Sequence, residues 1–112
     1  FYEKIMLDPK SDQIIYLIIT TEKDKKNACK ISNLLLEEKL IPCVTYKHIE
    51  SHFWWEGEIN KLKEVQLIFK CKKENINKVC QKIYENHSYD VPEIIWFPVS
   101  AHKNYHDWVN SF

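Results

Sequence analysis

"CVTYKHIESHFWWEGEINKLKEVQLIFKCK", residues Cys43–Lys72, decides the fold of this 112-residue chain. Its first part, Cys43–Trp55, is dense in β-branched and aromatic side chains, which suit a pleated strand. Gly57, the only glycine in the chain, marks a reversal, and "EVQLIFKCK" (Glu64–Lys72) reads as the returning strand. One length does not fit a monomer. A domain of this size has a radius of gyration near ~13 Å and a diameter of roughly 34 Å. A strand from Cys43 to Trp55 runs about 43 Å at ~3.3 Å per residue. The hairpin should therefore protrude, carrying Phe53, Trp54 and Trp55 towards its tip. That exposes on the order of several hundred Å² of apolar surface, which monomers rarely tolerate. The arm is expected to bury itself against another copy, giving a stable oligomer at micromolar concentration. An arm bent back over its own helices is the alternative.

The flanking segments complete a repeating order. "QIIYLIITT" (Gln13–Thr21) is a continuous apolar run suited to a central strand buried on both faces. Thr21, three residues before Asp24, approaches a capping-box spacing and opens a helix. Ala28, Ile31, Leu34 and Leu35 give that helix an apolar face down to about Lys39, and Pro42 stops it. After the hairpin, Ile76, Val79, Cys80, Ile83, Tyr84 and His87 share one helical stripe. "EIIWFPV" then reads as a last core strand, and Asn104 with Asp107 opens a short helix carrying Tyr105 and Trp108. Residues 1–12 read as a lead-in or a short extra strand, and residues 13–112 as a single domain. The order predicts an α+β, ferredoxin-like split βαβ fold (βαββαβ). Its antiparallel sheet carries two helices on one face, and a short C-terminal helix follows.

Composition narrows function by exclusion. The chain has sixteen basic and sixteen acidic residues, and every basic one is lysine. Without arginine, the residue suited to bidentate contacts with phosphate or guanine, no nucleic-acid partner is expected. No stretch approaches the ~20 apolar residues of a membrane span, so no membrane partner is expected either. Cys29, Cys43, Cys71 and Cys80 form no CxxC pair and sit among apolar neighbours, which suits a reduced, cytoplasmic protein. A single glycine leaves no Gly-rich phosphate loop, and no serine or cysteine lies in a nucleophile motif. The chain is read as no enzyme.

The blocks "SHFWWEGEI", Glu64 with Lys70, "HSYDVPEII" and "NYHDW" resemble the CutA family of divalent-cation tolerance proteins. "TTEKDKKNACKISNLLLEEKLIPCV" likewise looks like the family's first helix and its run into the second strand. The resemblance implies a ferredoxin-like subunit, a homotrimer built by strand pairing between subunits, and a link to copper and other divalent metals. It leaves open a regulatory trimer holding a small molecule between subunits without metal, and a structural adaptor presenting its surface to protein partners.

In some bacterial members, metal ligands are assigned to a cysteine ending the first strand and to two tandem histidines after the second helix. Those positions look like Thr20, Asn86 and His87 here. Copper and zinc favour cysteine and histidine, so only His87 is a good ligand type. No cofactor is expected to be required; copper or another divalent cation is expected to bind weakly at best. As a lone histidine at a helix end, His87 is alternatively a cap donating to free carbonyls or a packing residue. His102 and His106 have i, i+4 spacing, but a helix starting at Asn104 would separate them. Trp55, Glu64, Lys70, Tyr89 and Glu93 are expected to line an intersubunit pocket. Glu64 and Lys70 point to the same side of their strand, and a buried lysine needs an acid such as Glu64 or Glu93. That pocket is either a polar network fixing trimer register or a site for a small anion or a metal.

Overall fold

From Val65 to Cys71 every second residue is buried, and that alternation turns one face of the sheet to the core. The computed structural model describes residues 13–112. The lead-in expected at residues 1–12 lies outside them. Four strands, β1 (Ile14–Glu22), β2 (Cys43–Trp55), β3 (Glu58–Cys71) and β4 (Ile94–Ser100), form one antiparallel sheet in the order β2-β3-β1-β4. The helices are α1 (Lys25–Glu37), α2 (Ile76–Asn86) and α3 (Lys103–Asn110). This is the expected α+β, split βαβ arrangement. Ile18 on β1 and Val65, Leu67, Phe69 and Cys71 on β3 pack with Ala28, Ile31, Leu35, Val79 and Ile83 from α1 and α2. Each large side chain buried there contributes about 1.5–3 kcal/mol. On the opposite face Ile15 is buried, and α3, with Val109 as its buried residue, packs against β1 and β3.

Chain reversals follow local chemistry, and several differ from the sequence reading. α1 is capped by Asp24, whose Oδ1 accepts the Asn27 N–H at 2.8 Å; Thr21 belongs to β1 and is not part of a capping box. Helix α1 stops before Pro42 acts. The Lys39 N–H bonds the Leu36 carbonyl and the Leu40 N–H bonds that of Leu35, with Lys39 at φ 57°. That is a left-handed Schellman stop held by a lysine where glycine is usual. Glu56 and Gly57, at φ 51° and 81°, form a two-residue turn, so β3 begins at Glu58 rather than Glu64. Two consecutive positive φ values are the type I′ pattern that matches strand twist. α3 begins at Lys103 with His102 as its cap, not at Asn104. On α2, Tyr84 is exposed and falls off the stripe, whereas Val79 and Ile83 are buried in the core with Ile76 and Cys80 packed against it.

The arm extends as its length required. The molecule measures 50 × 28 × 21 Å with a radius of gyration of 15.8 Å. Trp54, near the tip, is 71% exposed. The final strand is a correction: β4 is not a core strand but an edge, and Ile95, Trp96 and Phe97 stand exposed on it. Only Ile94 packs against the core, while Pro98, lacking an N–H, is compatible with an edge position. Among the described residues no helix is long and apolar enough to cross a membrane.

Candidate functional site

The segment joining α2 to β4 wraps round the end of β1 and carries most of the polar chemistry. α2 ends at Asn86, and the Asn86 side chain donates to the Lys82 carbonyl at 2.9 Å. His87 then leaves the helix in an extended conformation (φ −76°, ψ 144°), and Pro92 disfavours helix at Val91. The His87 side chain is fully buried. Its Nδ1 accepts the Tyr89 N–H at 3.1 Å, so the proton sits on Nε2, which lies 3.0 Å from Thr20 Oγ1 and donates to it. His87 is therefore not a cap on the helix carbonyls; Asn86 takes that role.

Beside it, Glu22 is wholly buried at the end of β1. Its carboxylate accepts the Lys23 N–H at 2.9 Å, the Ser88 N–H at 3.0 Å and the Ser88 hydroxyl. Glu22 Oε2 also stands 3.6 Å from His87 Nδ1. A buried carboxylate is costly unless donors satisfy it, and two of these three come from the segment it tethers. Neither Glu22 nor Ser88 stood out in the sequence. The only signal was an acid ending an apolar run, and nothing in spacing links residues 66 apart.

On the other face of the sheet, the Tyr89 hydroxyl donates to Glu64 Oε2 at 2.7 Å. Burial pushes the Tyr89 phenol above its usual range, and the Glu64 carboxylate adds to the shift. Tyr89 and Glu64 stand at the head of an open groove of about 770 Å³ that continues along the hairpin past Phe53 to Trp55.

Of the residues expected in one pocket, Trp55, Glu64, Tyr89 and Glu93 line this groove, and Lys70 does not. Lys70 shares a strand face with Glu64 but lies about 20 Å along it, six residues at ~3.3 Å each. Its ammonium stands 3.9 Å from Cys43 Sγ, not beside Glu64 or Glu93. The groove therefore has no lysine among its lining residues, whereas Glu64, Asp90 and Glu93 all face it.

The family's ligand positions are brought together only in part. Thr20 and His87 touch, but Asn86 is turned to its own helix, and both His87 nitrogens are engaged by protein groups. This donor set does not fit a copper site. Among the described residues no group of three or more His, Cys, Asp or Glu side chains is arranged to hold a metal ion. His102 Nδ1 meets the Asn104 N–H and His106 Nδ1 meets Asp107, so they form no ligand pair.

Residues 16–111 match the family model described as CutA1 divalent ion tolerance protein. A curated relative from Pyrococcus horikoshii, "Divalent-cation tolerance protein CutA", is 35% identical over 94 residues, covering 83% of this chain and 92% of its own. A solved structure described as the periplasmic divalent cation tolerance protein CutA from Archaeoglobus fulgidus superposes with a TM-score of 0.82 at 34% identity. It covers 85% of this chain and 94% of its own. The divalent ion tolerance protein CutA1 from Ehrlichia chaffeensis gives 0.83 at 37% identity, covering 90% and 96%.

Proposed function

The chain belongs to the family of CutA1 divalent ion tolerance proteins, and from that premise we propose that it serves divalent-cation tolerance as a non-enzymatic homotrimer with no tight copper site at Thr20, Asn86 and His87. The observation that carries the metal part is the engagement of both His87 nitrogens, by the Tyr89 N–H and by Thr20. Binding copper there costs the imidazole its buried partners and recruits a threonine and an amide that are poor ligands for that metal. Trimer formation is supported by the protruding arm and by the exposed Ile95, Trp96 and Phe97 on the β4 edge. Four unpaired cysteines support a reducing, cytoplasmic setting.

Calorimetric titration with Cu(II) and Zn(II), on the wild type and on His87→Ala, tests this. Weak binding that the substitution leaves unchanged is expected. Submicromolar binding lost in His87→Ala refutes it. Sedimentation at micromolar concentration should give three chain masses, and monomer alone overturns the assembly. A second reading, a regulatory trimer holding a small ligand, is favoured by the groove between the hairpin and the Ser88–Glu93 segment.

A further inference from the structure

The groove presents a charge that nothing among the described residues balances. Glu64 is 7% exposed, and its Oε2 accepts the Tyr89 hydroxyl. Among the described residues its second oxygen has no hydrogen-bond donor, and no lysine of theirs lies within ion-pair distance of the carboxylate. That oxygen is not sealed in the core, because Glu64 lines the groove. A carboxylate held nine-tenths out of water with one neutral partner is a costly arrangement unless a cation completes it.

The surroundings state what kind of cation. Asp90 and Glu93 add two carboxylates at the same end. The one basic ring on the lining, His52, bonds Glu50 at 3.1 Å. These carboxylates do not converge as metal ligands do, since no group of three or more His, Cys, Asp or Glu is arranged around one point among the described residues. Beyond them the floor is aromatic: Phe53 and Trp55 alternate along β2 on the face that carries Glu64 on β3, as the Ile49–Glu64 pairing requires. Aromatic faces attract cations and cover apolar bodies, and the groove's volume lies within the range of small-ligand sites.

We propose that this groove binds an organic ammonium cation, its charge on Glu64 and Glu93 and its apolar body on Phe53 and Trp55. The inference deepens the small-ligand reading above, on which it rests, by naming the ligand chemistry. It replaces the expectation of a small-anion site, which needed Lys70 in the pocket. An alkylammonium of this kind has two sources, a free amine or a lysine side chain of a neighbouring copy.

Calorimetric titration of the assembled protein at neutral pH with phenethylamine, phenylacetate and Mg²⁺ separates the parts. Phenethylamine should bind at least tenfold tighter than phenylacetate, which has the body with the opposite charge, and than Mg²⁺, which has charge without a body. Glu64→Gln and Glu93→Gln should each weaken phenethylamine about tenfold. Glu85→Gln, on α2 outside the groove, should not. Glu93 is exposed, so its variant folds even if the Glu64 variant does not. If no amine binds, carbodiimide cross-linking should join a lysine of one copy to Glu64 or Glu93 of another, which assigns the ammonium to the neighbour. Phenylacetate binding as tightly as phenethylamine overturns the cation and leaves the groove a ligand site. Amine binding unchanged by both groove variants overturns the assignment of the charge to these carboxylates. No probe bound and no cross-link overturns the cation and the ligand site together.

Discussion

Exchanging Glu22 for glutamine tests whether one buried carboxylate holds the connection between α2 and β4. Glu22 Oε1 accepts two donors, the Lys23 N–H and the Ser88 hydroxyl, and Oε2 accepts the Ser88 N–H. The amide does best with its NH₂ in place of Oε2, since that sacrifices a single bond. The Ser88 N–H then faces another donor and is left without its partner in a partly buried site. A hydrogen bond to a charged group is worth about 1.5–3 kcal/mol, and the two surviving bonds lose their charge assistance, so a total near ~3 kcal/mol follows. That is a large share of a typical stability of about 5–15 kcal/mol. In urea, with a slope of about 1.5 kcal/mol/M for a chain of this size, the midpoint should fall by about 2 M with the slope unchanged. Both proteins are compared at one chain concentration, because assembly contributes to apparent stability. Hydrogen exchange at the Ser88 amide should accelerate in the same variant. A midpoint shift below about 0.5 M, with Ser88 still protected, would refute the role assigned to Glu22.

Two further outcomes follow from titratable groups. Hydrogen bonding to the Asn27 backbone and side chain holds the Asp24 carboxyl below its usual range. A lowered folded-state value means that the cap's stabilisation is present above the unfolded-state pKa of about 3.9 and is lost as pH falls through the lower, folded value. Stability curves of wild type and Asp24→Asn should therefore run parallel above about pH 5 and draw together in acid; curves parallel throughout exclude a charged cap. Burial pushes the Cys71 thiol up to about 12, so iodoacetamide at pH 8 should label Cys71 only after unfolding, as mass spectrometry of its peptide will show. Native-state labelling there at the rate of an exposed thiol sinks this reading.

The element order was legible because periodicity and strand length dominate it: a continuous apolar run, two amphipathic helices and one hairpin longer than the domain. The exact stops were less legible. Lys39 in a left-handed conformation ends α1, and no propensity rule picks a lysine for that place. β4 looked like a core strand because its residues are apolar, but sheet order, not hydropathy, puts it at the edge. At the site, face parity correctly placed Glu64 and Lys70 on one side of β3. It could not say that the loop carrying Tyr89 and Glu93 reaches only the Glu64 end. Glu22 and Ser88 escaped notice because their partnership depends on tertiary contact alone.

Among the described residues the sheet order leaves both outer strands, β2 and β4, with one unpaired rim. A subunit with two such rims offers a head-to-tail contact, and contacts of that kind either close into a ring or grow into a filament. Pro98 withholds one donor from the β4 rim, so a neighbouring strand laid along it cannot pair without a break. The proline thereby limits how far a docking strand can zip along that rim.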